Sequence, residues 1–257
     1  MVLNRIDLFP VKSLDGVSVS EVRINSGGIL ENDRIYAIVD GSGCYINGKR
    51  TDRVHLIRAT FAEDFHEGCF WIQGEASRQN FVLTEPSRIN RWLSEFFGFA
   101  VCLVFEPVRG FADDRLASGP TIVSEASLCE IVRWFPELSL QETRRRFRSN
   151  LEIGGVEAFW EDHLYGAGDE VRPFSIGSVS LKGHNPCQRC VVPSREPETG
   201  IQSAPGFQKT FMTLRKKSFP SWADQSRFNH FYRFAVNTSI PATETGKFLR
   251  VGDPLHF

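Results

Sequence analysis

The sequence predicts a mainly β fold with a few helices, of barrel or sandwich type. Three observations carry this. The first hundred residues break into short segments rich in Val, Ile and Phe, and Gly-bearing turns (NSGG, DGSG, NGK) separate several of them. Phenylalanine is abundant at 22 residues while methionine numbers only 2, which suits a β-rich core. Only two segments carry a clear helical period. The 257 residues are enough for one large or two modest domains.

Taken in order, VLNRIDLF, VSVSEVRIN, RIYAIVD, HLIRATF and CFWIQ read as strands, at a spacing typical of barrels and sandwiches. TEPSRINRWLSEFFG reads as a helix, because Ile89, Trp92, Leu93, Phe96 and Phe97 fall on one face. Thr84 is its expected N-cap and Gly98 its stop. The strand AVCLVFEP follows. The polar stretch VRGFADDRLASGPT then marks a boundary, dividing the chain into residues 1–110 and 111–257. SEASLCEIVRWF predicts a second helix with Leu128, Ile131, Val132 and Phe135 on one face and Ser124 as N-cap. ETRRRFRSNLEIGG runs from a polar, basic segment into a strand. Residues 203–230 have little periodicity and read as irregular or helical. From about 171 the chain alternates short strands with turns, closing on FLRVGDPLHF. There is no internal repeat.

Net charge is −1, so no global field attracts nucleic acid or an anionic membrane. The basic run RRRFRSN has one aromatic, Phe147, and is a poor nucleic-acid patch in a near-neutral chain. No apolar run approaches the ~20 residues that span a bilayer. Met1 leads straight into a strand with no targeting pattern, so a cytoplasmic protein is expected. Six cysteines are present, but four are far apart, which argues against a disulfide framework. Cys69, Cys102 and Cys129 have apolar neighbours and are expected to be buried and inert.

The remaining pair, Cys187 and Cys190, lies in NPCQRCVVPSREPETG. A structural zinc site needs four ligands, and no second pair accompanies this one. A thioredoxin-like dithiol opens a helix, whereas Pro193 and Pro197 follow here. By itself the CxxC is compatible with two thiols near a turn.

The flanks add more. This stretch resembles the signature of MOSC-domain proteins, a CxxC followed by acidic-Pro-acidic-Thr-Gly, with Glu196 where Asp is more common. LFPVKSLDGVSVSEVRI, GILENDRIYAIVD, NGKRTDRVHLI, TIVSEASL, FRSNLEI and VGDPL also resemble that family, in the right order and over nearly the whole chain. The resemblance implies a β-barrel MOSC domain over residues 111–257 and a MOSC N-terminal β-barrel-like domain over 1–110. It further implies a molybdenum cofactor (Mo-molybdopterin), with Cys187 as metal ligand and catalytic residue. A thiolate suits a metal already held by dithiolene sulfur, and Arg189 is placed to favour its deprotonation. Lys12, Ser13 and Arg148 are implied at the cofactor phosphate and Arg34 at the pterin, with Ser124 and Asn150 close by. Arg144 to Arg146 are then helix surface, partly solvated. His184 is read as a structural loop histidine, and Cys190 as packing or a secondary thiol.

The function so implied is an oxidoreductase acting on N-hydroxylated or N-oxide small molecules, like the family's amidoxime-reducing components and bacterial N-hydroxylated-base reductases. No further cysteines exist for an iron–sulfur cluster, so a separate electron donor is expected, a flavoprotein reductase with a ferredoxin-like protein. The competing reading is a cofactor carrier or sulfur-transfer protein. The family's association with pyridoxal phosphate belongs to a separate domain that this sequence does not show. Loss of the cofactor is a third reading, opposed by the retained Cys187, Lys12, Arg34 and Arg148.

Overall fold

A computed structural model describes residues 1–114, 116–203 and 205–257. Arg115, inside the expected boundary segment, and Ala204 lie outside the described residues. The first strand, β1 (Val2–Leu8), buries Leu3, Ile6 and Leu8. It is followed by β2 (Val17–Val19) and β3 (Glu21–Arg23). The single strand expected over VSVSEVRIN is thus split at Ser20, and its halves pair with different partners. Next come β4 (Tyr36–Asp40), β5 (Ile57–Phe61), β6 (Glu67–Ile72) and β7 (Arg78–Val82). No expectation covered β7: its sequence RQNFV buries only Phe81, so it shows no alternation.

Helix α1 (Ser87–Phe97) buries Ile89, Leu93 and Phe97, as its period requires. Its N-cap is Pro86 rather than Thr84, and no side chain caps it. Gly98 ends it in the left-handed region at φ 81°, where glycine has no Cβ to clash, and its N–H returns to the Ser94 carbonyl. Strand β8 (Val101–Phe105) closes this half by pairing with β4. Along β8 the two-residue period turns Cys102 outward, so it is exposed, and Cys69 and Cys129 are only half-buried. The expectation of three buried thiols is therefore corrected.

The second half holds β9 (Ile122–Ser124), α2 (Glu125–Trp134), α3 (Leu140–Phe147), β10 (Leu151–Gly154), β11 (Arg172–Ile176), β12 (Val179–Gln188), α4 (Phe207–Lys217), β13 (Arg233–Ser239), β14 (Phe248–Arg250) and β15 (Leu255–His256). Eight strands form one curled, half-barrel-like sheet in the order β15-β11-β12-β13-β9-β10-β1-β2. Only β9 and β10 run parallel; the other pairs are antiparallel. This sheet joins strands from both sides of the boundary expected near residue 110. Leu3, Ile6, Val22 and Ile24 share one core with Ile122, Leu151, Leu181 and Val236. A second core packs β4, β5, β6 and β8 against α1. A third packs α2, α3 and α4 around Phe147, Phe207, Phe211 and Phe234.

Part of the basic run is helix α3. Ser139 caps it by accepting from the Glu142 N–H at 3.0 Å, a serine three residues before a glutamate. Arg144 and Arg145 are partly solvated, as expected, whereas Arg146 is buried. Arg144 holds Glu152 at 2.6 and 2.8 Å, Arg145 holds Glu198 at 2.8 Å, and Arg146 is 4% exposed, bonded to Glu142, Ser203 and the Pro193 carbonyl. No helix of the described residues is long and apolar enough to cross a membrane.

Candidate functional site

The helix that carries those arginines also positions the first site residue. Arg148 is the C-cap of α3 and sits in the left-handed region at φ 51°, its N–H bonded to the Arg144 carbonyl at 2.8 Å. That reversal turns its guanidinium out of the helix register and over the Phe9 ring, 4.2 Å from the ring centre. Gly16 makes room for Phe9, since a Cβ there would stand 2.6 Å from the ring. Arg148 faces a cavity of about 660 Å³, a size typical of small-molecule sites. Its walls come from residues 9–16, 29–34, 47–57, 109–114, 117–121, 145–148 and 185–197, with Arg233 and Asn237.

Lys12, Ser13, Arg34, Arg148 and Cys187 all line this cavity. Lys12 is buried, and its Nζ donates to the Phe111 carbonyl at 2.7 Å and to Asp113 at 2.8 Å. Burial pulls its pKa below the ordinary lysine value, partly opposed by Asp113. Ser13 holds φ at 74° and Arg34 at 52°, so three non-glycine residues of the site occupy left-handed backbone. Arg34 donates to Asp33 at 2.5 Å and to the Asn150 side-chain oxygen at 3.1 Å. Burial, with Arg34 nearby, lowers the Arg148 pKa to about 10, which still leaves it charged at neutral pH.

Two expected residues are elsewhere. Asn150 is 1% exposed and does not line the cavity. It acts behind the site, accepting from Arg34 and donating to the Asp7 carbonyl at 3.1 Å. Ser124 is fully buried at the N-cap of α2, where its hydroxyl accepts from the Ser127 N–H at 3.1 Å. Its helix start faces the interior carboxylate Glu161, not the cavity: the Ser124 N–H donates to Glu161 at 3.3 Å. His184 also lies outside the cavity lining, its Nε2 paired with Ser239 at 2.8 Å; its hydrogen bond is structural, as expected, but it sits on strand β12 and not in a loop.

Cys187 sits near the end of β12, where the ladder to β13 breaks register. Pro186 pairs with Val236 and Gln188 with Arg233, so Phe234 and Ala235 together oppose the single Cys187. Ala235 takes φ 65° to absorb the extra residue, the geometry of a bulge, a device that re-aims side chains beside active sites. Cys187 and Cys190 are both free and both line the cavity. Cys190 Sγ accepts from the Val192 N–H at 3.4 Å. The acidic motif that follows is a clamp. Glu198 binds Arg145 of α3 at 2.8 Å and Arg58 of β5 at 3.2 Å, fastening the cysteine loop to both walls.

Sequence reasoning missed His55, Arg195 and Arg233. The first two lie inside stretches already singled out, NGKRTDRVHLI and SREPETG. Arg233 carries no sequence signal. Burial, then Arg148 and Arg195, push His55 down to about 4, so it is neutral. His55 Nε2, Arg145 Nη2, Arg148 Nη2, Arg189 Nη2, Arg195 Nε and Arg233 Nε are all enclosed and have no protein partner. Every one of these residues lines the same cavity. Buried donors are normally satisfied, so the five unsatisfied guanidinium nitrogens among these groups mark a place for an anion. Among the described residues no group of three or more His, Cys, Asp or Glu could hold a metal. Any metal bound here would have to bring most of its own ligands.

A family model for the MOSC domain matches residues 120–256, and one for the MOSC N-terminal β-barrel domain matches residues 1–79. The chain belongs to the MOSC domain family. It is 23% identical to mitochondrial amidoxime-reducing component 1 of Mus musculus, over 97% of this chain and 80% of that protein. It is 21% identical to mitochondrial amidoxime reducing component 2 of Bos taurus, over 97% of this chain and 81% of that protein. Molybdenum cofactor sulfurase of Homo sapiens is 25% identical over 81% of this chain, which spans only 28% of that protein. The cytoplasmic location expected from the N-terminus does not stand, because the amidoxime-reducing components that match nearly all of the chain are named as mitochondrial. The family's pyridoxal-phosphate association does not carry over to this chain.

Proposed function

We propose that this protein is a molybdenum-cofactor-dependent reductase of N-hydroxylated or N-oxide small molecules, with Cys187 as the protein ligand to molybdenum. The observation that carries this reading is the convergence, in one cavity, of a free thiol opposite a strand bulge with enclosed guanidinium nitrogens that lack protein partners. The cofactor's phosphate fits the Lys12 and Arg148 end, where Arg148 Nη2 is unsatisfied and Ser13 adds a hydroxyl. Arg34, held by Asp33 and Asn150, would contact the pterin. Cys187 offers the soft donor that dithiolene-bound molybdenum accepts.

The bound cofactor would supply the two-electron chemistry. Reduction of an amidoxime to an amidine consumes two electrons and two protons and releases water. A separate donor, a flavoprotein reductase acting through a ferredoxin-like protein, supplies the electrons. The chain's own residues bind the phosphate, fix the thiol and shield the reacting centre from bulk water.

The test is turnover. Protein produced in a host that makes the cofactor is reduced with viologen and given benzamidoxime, and benzamidine is measured by chromatography. Benzamidine formation that disappears in Cys187→Ser supports the reading. Absence of turnover from molybdenum-loaded protein, with release of intact cofactor to an apo-enzyme, would replace it with the carrier function.

A further inference from the structure

Within the cavity, four arginines lack any carboxylate partner among the described residues: Arg109, which is exposed to solvent, and the more buried Arg148, Arg189 and Arg233. The other basic groups that approach the same space are neutralised. Lys12 is paired with Asp113, Arg34 with Asp33, Arg145 with Glu198 and Arg195 with Asp52. One cofactor phosphate accounts for Arg148. Of the more buried three it leaves Arg189 and Arg233, which stand on the cysteine side.

Both are rigidly held, and by neutral groups. Arg233 donates from Nη1 to the carbonyl of Pro186, the residue before Cys187, at 2.8 Å, and from Nη2 to Asn229 at 2.9 Å. Arg189 donates from Nε to the Phe234 carbonyl at 2.9 Å and from Nη1 to the Phe147 carbonyl at 3.0 Å. Carbonyls fix the two guanidinium groups without cancelling their charge. Each then keeps one enclosed N–H with no protein acceptor, Arg233 Nε and Arg189 Nη2. Arg233 is also near enough to Cys187 for the two to interact electrostatically. Such an arrangement is expensive to maintain unless a ligand brings negative charge.

We propose that the cavity holds a second anion subsite beside Cys187, formed by Arg233 with Arg189, and that it selects substrates bearing a carboxylate or similar oxyanion. The inference rests on the reductase reading for its context, and it names the substrate class that reading leaves open. Arg233 is a specificity-determining residue: it holds the anionic end of the substrate while the N–O group lies toward Cys187.

The test compares 4-carboxybenzamidoxime with neutral benzamidoxime on the molybdenum-loaded protein, wild type beside Arg233→Gln. Wild type is expected to favour the carboxylated compound in kcat/KM. The substitution should lower that preference by on the order of 10- to 100-fold, acting through KM, because it removes one charge-assisted contact. Molybdenum content should stay at the wild-type level. Calorimetric binding of the two compounds gives the same comparison without turnover, so it decides the subsite even if reductase activity is absent. Equal binding of both compounds by wild type would overturn the proposal. So would a fall in molybdenum content in Arg233→Gln, which would make Arg233 part of the cofactor grip. Arg233→Lys keeps the charge and should retain more of the preference than Gln; parity between Lys and Gln would equally contradict it.

Discussion

Arg148 ends its helix in a left-handed turn, stacks on Phe9, and keeps one enclosed nitrogen without a protein acceptor. If that nitrogen is meant for the cofactor phosphate, Arg148→Gln removes one charge-assisted bond. Cofactor affinity should fall about 10- to 100-fold, read as loss of bound molybdenum after dialysis. Retention equal to wild type would leave the phosphate end to Lys12 alone. A second residue-scale prediction concerns Glu161, 2% exposed beneath α2, accepting from Ser127 at 2.9 Å. Burial and the adjacent Asp162 push its carboxyl up from 4.5 to about 7. The folded state therefore holds this proton more tightly than the unfolded chain does. Its contribution to stability is complete below pH ~4.5 and is lost as pH rises through ~7, a loss of about 3 kcal/mol. Urea midpoints measured at pH 5 and pH 8 should show a fall in wild type that Glu161→Gln largely lacks. Parallel profiles would mean that Glu161 is ionised throughout.

At the scale of elements, the bulge in β13 is what presents Cys187. Ala235 tolerates φ 65°, but a β-branched side chain does not. Ala235→Val should cost about 1–2 kcal/mol and lower molybdenum loading, whereas Ala235→Gly should keep both stability and loading near wild type. Thermal denaturation with metal analysis checks this; equal loading in Val and Gly variants would detach the bulge from the site. The buried pair Arg215–Asp162 ties α4 to the turn at Trp160–Leu164, with both side chains at 3% exposure or less. Arg215→Ala strands a buried carboxylate and should destabilise the fold by about 3–5 kcal/mol, measured by urea titration. The helices that periodicity announced, α1 and α2, formed as expected, because each has one continuous apolar face. β7 was illegible because it buries a single side chain, and the basic stretch at α3 because the helix is short and buries only Thr143, Arg146 and Phe147, which give no apolar face. Arg233 was hidden for another reason. Its partners are the Pro186 carbonyl across the ladder and Asn229, and neither leaves a local pattern.

Over the whole molecule, the cavity draws walls from residues 9–57 and from 145–237, and Glu198 bridges Arg58 and Arg145 between them. A ligand filling it binds the folded state and not the unfolded chain. Loaded protein should therefore melt on the order of 10 °C above cofactor-free protein, and calorimetry on both forms is the check. Lys12, Ser13, Arg34, Arg148 and Cys187, which line this cavity, were singled out only through a family resemblance, since their contacts span most of the chain, and His55, Arg195 and Arg233 were not singled out at all. Ser124 was legible too, but as a helix cap, which is the role its hydroxyl performs. The central claim is that one thiol on β12, opposite the β13 bulge, completes a molybdenum site. Protein from a host that loads a control molybdenum enzyme should contain near-stoichiometric molybdenum by mass spectrometry, and Cys187→Ser should lose most of it while remaining folded. Wild-type protein without molybdenum from that host, or a Cys187→Ser variant that retains it fully, would contradict the account.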